Sequence, residues 1–234
     1  MGINPEAQFQ FSNYLNDLYE FESYFKSLES GDFFEERGLS RINEYVFLNK
    51  EIDKYRKIIM SLKKQKYDLN TLKFIMEGET FTQEIGLLDN PNSYYSVHWN
   101  IDKLHDLVKK HHINKASIPI EIILSRLSPG SVPFVNELLP LKNDPIIALD
   151  YPLINELPKI IIADGNYRTV RKYSRGEREI EVFIIPSRVH LDAMLDKLSV
   201  TSYKIHHNCL HIINFIIGQI KTEKELKKTM FRFK

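Results

Sequence analysis

Ile160-Ile161-Ile162-Ala163-Asp164-Gly165-Asn166-Tyr167-Arg168 is the stretch on which the fold of this chain turns. An apolar run bounded by Asp and Gly predicts a short strand. The basic, polar residues that follow predict a helix over 166–175, stopped by Gly176. The first N–H groups of such a helix have no acceptor inside it, so partial positive charge collects there. Gly165 permits a tight turn and lets a ligand come close to the backbone. A strand, turn and helix joined in this way favour an anion, most naturally a phosphate.

Each residue of the junction has a role in that chemistry. The backbone at Gly165, Asn166 and Tyr167 supplies the amide hydrogens. Arg168, in the first turn, offers two parallel donors to phosphate oxygens, which a lysine does less well. Arg171 and Lys172 lie further along the same helix with Arg175, and Arg178 follows it. The steps Arg168, Lys172, Arg175 put three cations near one face. Three roles are open to Asp164: capping the helix, holding Mg²⁺ beside a phosphate, or accepting a proton from a hydroxyl. The competing account is a capped turn followed by a solvated helix face balanced by Glu177, Glu179 and Glu181.

Working outward, that strand, over 159–163, is one of four β-rich runs, the others occupying 118–124, 145–149 and 180–185, each bounded by Pro, Gly, Asn or Asp. With the one helix between them they predict a mixed α/β module. Upstream, Phe11, Leu15, Leu18, Phe21, Phe25 and Leu28 recur at helical spacing, and Gly31 ends that run. A second amphipathic helix carries Ile42, Tyr45, Val46, Ile52, Tyr55, Ile59 and Leu62. These two read as a helical hairpin, with a third helix near 69–76. The turn formers of 86–96 place the main boundary there. Asn100 is expected to cap a helix over 101–110, with Asp102 near its positive end and His111 and His112 closing it. Two more helices, from about 187 and over 202–220, precede a charged tail from Lys221. The expected domains are thus a helical region over 1–90, an α/β domain over 91–186 and a helical extension over 187–234, an α+β chain.

The strand, the Asp-Gly-x-x-Arg that opens a helix, and the later Gly followed by Ile180-Glu181-Val182-Phe183-Ile184-Ile185 resemble the ParB/sulfiredoxin superfamily. Ile118-Pro119-Ile120-Glu121-Ile122-Ile123 is similar to its first strand, and Asp144-Pro145-Ile146-Ile147-Ala148-Leu149 to the strand introduced by Pro. The resemblance covers 115–186. It implies a site for a phosphorylated ligand, a nucleotide such as ATP or CTP with Mg²⁺ held by Asp164. It also implies catalytic roles for Asp164, Arg168 and an upstream glutamate, either Glu121 or Glu137. Phosphotransferase and phosphodiesterase or nuclease are the enzyme classes it suggests. Where sulfiredoxins carry a cysteine this chain has Asn166, so that thiol chemistry is absent; where other members carry histidine it has Asn166 or Tyr167, so an imidazole is missing. The helix from Tyr203 is too apolar to face DNA, which argues against chromosome partition.

The remaining histidines and Trp99 read as structural. His207 and His211 are four apart beside His206 and Cys209, but no acidic partner stands between them as in a zinc-binding His-Glu-x-x-His, so packing is the preferred account. His105, His111 and His112 complement a helix C-terminus. Trp99 is expected to be a packing anchor at a domain junction.

Composition bounds the alternatives. With 32 Lys and Arg against 31 Asp and Glu in 234 residues, the formal net charge is +1, so attraction for nucleic acid has to come from a local patch. The single Cys209 rules out an intramolecular disulfide. No secretory signal is read at the N-terminus, and Glu6 spoils the myristoylation pattern. The longest apolar stretch, 212–220, is shorter than a membrane span of roughly 20 residues. A cytoplasmic protein is expected. The rival to the phosphate-binding reading is a non-catalytic module that binds nucleic acid, including DNA, through the basic segment 168–178, or a protein through the helical layer.

Overall fold

The computed structural model describes residues 19–31, 34, 46–64, 71, 73, 78–87, 90–127, 144–154 and 157–233. Among them the chain is mixed α/β, with seven α-helices and two small sheets. They form two compact units. The first takes the described residues of Met1–Glu77, Thr82–His98 and Leu195–Lys234, and the second takes Gly78–Phe81 and Trp99–Met194.

In the first unit, Tyr19–Glu20 form a short strand, β1, and Glu22–Ser30 form helix α1. A continuous helix over 5–28 was the expectation, but β1 breaks it. The Glu20 carboxylate accepts from the Glu22 N–H at 3.0 Å, which starts the helix anew, and Phe21 stacks on Tyr95 with ring centroids 5.4 Å apart. The part of that helix before Tyr19 lies outside the described residues. Gly31 ends α1 in the left-handed conformation, φ 74°, as the sequence predicts.

Val46–Lys63 form α2, which buries Leu48, Ile52, Tyr55, Ile59 and Leu62 at steps of four, three, four and three. Each such side chain removed from water contributes about 1.5–3 kcal/mol. Arg56, on the same helix, joins α2 to α1 by donating to Glu22 at 3.0 Å and to Glu29 at 2.7 Å. The helix expected near 69–76 falls, apart from Thr71 and Lys73, outside the described residues.

Thr80–Leu87 and Asn90–Asn100 are strands β2 and β3. The sheet order is β1-β3-β2, with Tyr19 opposite Tyr95 in an antiparallel pair. A boundary was expected over 86–96, yet residues 82 to 98 belong to the first unit. Asn90, Pro91, Asn92 and Ser93, which read as turn formers, belong to strand β3.

The second unit opens with helix α3, Ile101–Lys110, capped as expected by the Asn100 side chain, which accepts from the Lys103 N–H at 2.8 Å. Strand β4 is Lys115–Pro119 and helix α4 is Ile120–Leu124. One strand had been expected over 118–124. Burial of Ile120 and Ile123, three apart, with Ile122 exposed, is a helical period and not an alternation. The same residues that raise β propensity here cover the sheet as a short helix.

Strands β5 (Ile146–Asp150) and β6 (Ile160–Asp164), helix α5 (Asn166–Ser174) and strand β7 (Glu179–Ile185) follow. The sheet order is β4-β7-β5-β6. β5 runs parallel to β7 and antiparallel to β6, and β4 runs antiparallel to β7. β5 and β6 are buried through their first four residues, which is why they read as unbroken apolar runs. Ile120, Ile123, Ile146, Ala148, Ile162 and Val182 share one core cluster. Trp99 is fully buried against Phe81, Tyr151 and His190.

Where a helix from about 187 was expected, a single 3-10 turn occupies His190–Ala193. Helix α6 then spans Lys197–Ile216 in the first unit, starting before the expected 202 because Asp196 caps it, accepting from the Ser199 N–H at 2.7 Å. The charged tail expected from Lys221 contains helix α7, Glu223–Thr229, fixed by a capping box between Thr222 and Glu225. No helix among the described residues is long and apolar enough to cross a membrane.

Candidate functional site

The junction between β6 and α5 follows from its sequence. β6 ends at Asp164, Gly165 adopts φ +103°, and α5 begins at Asn166 with no side-chain cap on its first amides. Gly165 is obligatory for a second reason. A Cβ there would lie 2.3 Å from Ile146 Cγ2 and 2.7 Å from Ile146 Cβ. The close approach that the glycine permits is therefore to the start of β5, where a ligand had been expected.

Arg168 sits at the centre. One of its terminal nitrogens, Nη1, donates to the carbonyls of Asp144 at 2.7 Å and Pro145 at 2.9 Å, and the other, Nη2, donates to Asp164 Oδ2 at 2.8 Å. Its side chain is only 14% exposed. The guanidinium thus ties helix α5 to the entrance of β5 and the end of β6 at once. Its Nε–H and one Nη2–H are the donors beyond these three bonds.

Asp164 Oδ2 also meets His105 Nε2, from α3, at 3.3 Å. The imidazole that Asn166 and Tyr167 do not supply comes instead from a helix far upstream, and the sequence reading assigned that histidine only to a helix end. The signal for it was its position. His105 is four residues after Ile101 and three before Val108, both buried, so it borders the face that α3 turns to the protein.

The other expected residues fall in three places. Asn166 is part of the junction, and its Oδ1 is a buried atom with no hydrogen-bond partner among the described residues. Arg171 is buried, with its guanidinium 5.5 Å from the centre of the Tyr167 ring, so this pair is packed within α5. Lys172 is paired with Glu177 at 2.9 Å. Of the basic segment, Arg175 and Arg178 are the residues exposed to solvent, so the expected three-cation face is mostly taken up by the fold. Glu121, at the start of α4, stands 3.5 Å from Arg178. Register places Pro119 opposite Glu179 and Ile147 opposite Asp164, so Glu121, just past the edge strand β4, and Asp164, at the end of the other edge strand β6, belong to the same end of the sheet. Glu137 lies outside the described residues.

The buried histidines are structural. His190 accepts from the Trp99 indole at 3.4 Å through Nδ1, and its Nε2 lies 3.1 Å from the Asp150 carbonyl, a pattern that one neutral tautomer satisfies. Burial lowers its pKa to about 4. In the first unit His206 bonds to the Tyr95 hydroxyl at 3.1 Å, and burial lowers it to about 3. His207 and His211 bond each other through their Nε2 atoms at 3.1 Å, which requires opposite tautomers. Among the described residues no group of three or more His, Cys, Asp or Glu is arranged to hold a metal ion. The chain matches no protein-family model, no curated protein and no solved structure.

Proposed function

We propose that the second unit is a divergent ParB/sulfiredoxin-like module that binds a nucleotide at the β6–α5 junction. The observation that carries this reading is the meeting of His105 and Arg168 on Asp164 Oδ2 beside a helix N-terminus without a side-chain cap. First-turn amides with no side-chain cap among the described residues, and the positive end of α5, favour phosphate oxygens. A phosphate beside a carboxylate needs a compensating cation, and Arg168, 2.8 Å from Asp164 Oδ2, supplies one. The strand introduced by Pro, the Asp-Gly turn, the helix after it and the last strand support this reading, whereas most of the segment likened to the family's first strand, 118–123, is helix α4.

Asn166 adds a preference within the class. A buried acceptor without a partner calls for a donor, which a ribose hydroxyl or an exocyclic amine carries. Mg²⁺ fits only in part: among the described residues Asp164 is the carboxylate bonded to Arg168, with no group of three or more candidate ligands around it, so the ion would be held mainly by the phosphates of its ligand. When bound it would neutralise phosphate charge. The chain's own residues orient the ligand. Phosphotransfer or phosphodiester cleavage is the reaction class that such a site would serve, chiefly through positioning and charge neutralisation.

Trp99 is the single tryptophan and belongs to the second unit, so its fluorescence follows unfolding of that unit alone. Thermal unfolding read at Trp99 with ATP, CTP, GTP and ADP, each with and without Mg²⁺, tests the proposal. A ligand at 100 times its dissociation constant adds about 2.7 kcal/mol, and His105→Ala is expected to weaken it about tenfold. If no nucleotide moves the Trp99 transition, the reading fails.

A further inference from the structure

A pocket of about 690 Å³ lies within the first unit, between α2, the start of α6 and the segment after α7. Lys50, Lys54, Lys57 and Ser61 line it from α2 at steps of four, three and four, a single stripe on that helix. Lys197 and Thr201, four apart on α6, line it from the other side, and Phe233 contributes an aromatic ring. Lys54 Nζ lies 6.0 Å from the centre of that ring.

The charge of this lining is one-sided. Its carboxylate, Asp53, is engaged by Arg56 at 2.9 Å. Lys54 has Glu51 only at 3.8 Å. Lys50, Lys57 and Lys197 have no ion-pair partner among the described residues. Like charges repeated at helical spacing repel one another. On a convex surface water would screen them and nothing more would follow. Here they converge on a concavity whose remaining wall, Ile58, Leu62 and Phe233, is apolar. Its volume is that of a small-molecule site, and a net charge of +1 gives the whole chain no general attraction for polyanions.

We propose that this pocket binds a nucleotide-sized organic phosphate, with the lysines neutralising its phosphate oxygens and Phe233, Ile58 and Leu62 covering its flat apolar part. The site shares no residue with the β6–α5 junction and stands or falls separately from it.

Equilibrium dialysis of the full chain against ATP, AMP, adenosine and pyrophosphate tests the proposal. ATP is expected to bind more tightly than about 1 mM, AMP more weakly, and adenosine not measurably. Reversing two exposed lysines together, Lys57→Glu with Lys197→Glu, is expected to weaken ATP at least tenfold. Phe233→Ala is expected to weaken ATP while leaving pyrophosphate unchanged. His105→Ala leaves this binding intact. No saturable binding of ATP to the wild type, or a number of ATP sites that the double reversal leaves unchanged, overturns the proposal; ATP binding that His105→Ala abolishes also overturns it and assigns the ligand to the second unit.

Discussion

Replacing Arg168 by Met keeps most of its aliphatic stem and removes the guanidinium, so it isolates what the three hydrogen bonds of that group contribute. Those bonds run to the Asp144 and Pro145 carbonyls and to the Asp164 carboxylate, from a side chain that is 14% exposed. A hydrogen bond involving a charged group contributes about 1.5–3 kcal/mol net. Three of them would reach an upper bound well above what is expected, because Asp144 is exposed and recovers water, and Asp164 keeps His105. A loss of about 2–4 kcal/mol remains. In urea, with a slope of about 1–3 kcal/mol/M, the midpoint should fall by roughly 0.7–4 M. Trp99 fluorescence reads the second unit. Cys209, the single thiol, is buried in the first unit and pushed up in pKa by desolvation, so its labelling by a thiol reagent reads the first unit and should not change. Arg168→Lys should lose about half as much, since one ammonium cannot span the same acceptors. A double-mutant cycle with Asp164→Asn should show coupling of about 1 kcal/mol or more. If Arg168→Met unfolds within about 0.5 kcal/mol of the wild type, the guanidinium is not a clamp and its place in the fold is misassigned.

Gly165→Ala should be costly for two independent reasons, a φ of +103° and a Cβ placed 2.3 Å from Ile146 Cγ2; the sum is about 2–5 kcal/mol, and an alanine variant with an unchanged Trp99 midpoint would refute it. Asn208 accepts from the Phe231 N–H at 2.7 Å and donates to the Phe231 carbonyl at 2.9 Å and to the Tyr55 hydroxyl at 3.1 Å; Asn208→Ala should cost about 2–4 kcal/mol and speed Cys209 labelling, and unchanged labelling would count against that anchor. Acid should weaken both units. His206 and His190 are held neutral, at about 3 and about 4, so as pH falls below about 6.5 the unfolded chain takes the proton first. Stability therefore drops between about 6.5 and those values and levels off beneath them, by about 2 kcal/mol for each histidine at about pH 5. His206→Gln should flatten the Cys209 profile and His190→Gln the Trp99 profile, and stability that is flat between neutral pH and about 5 would contradict the burial of both.

Features written in a single chain segment were legible in the sequence. The strand expected over 159–163 and found over 160–164, the glycine turn, the helix that opens at Asn166 and the cap at Asn100 each depend on near neighbours, and each lies within a residue of its expected place. What escaped depends on distant partners. Tyr19–Glu20 leave a helical pattern because Tyr94 and Tyr95 offer a strand to pair with. Residues 120–124 leave a β-rich pattern because the sheet needs cover on one face. The candidate site divides in the same way. Asp164, Gly165 and Arg168 are neighbours in sequence and were found together, whereas His105 comes from another helix and was missed. The Lys50, Lys54, Lys57 stripe was visible as polar positions on an amphipathic helix, but nothing in the sequence told that it faces Phe233.

The first unit gathers three separated stretches of chain, and α2 packs against α6 from more than a hundred residues away. A ribosome delivers the α2 stripe of Leu48, Ile52, Tyr55, Ile59 and Leu62 long before the partner that covers it. During that interval the nascent polypeptide carries an uncovered oily ridge, the kind of surface that holdase chaperones grip. The second unit, whose sheet and helices all fall between Trp99 and Met194 apart from four residues, has what it needs soon after its own last strand emerges. Birth order therefore reverses sequence order: the later segment matures first, and the opening helices wait for the final ones.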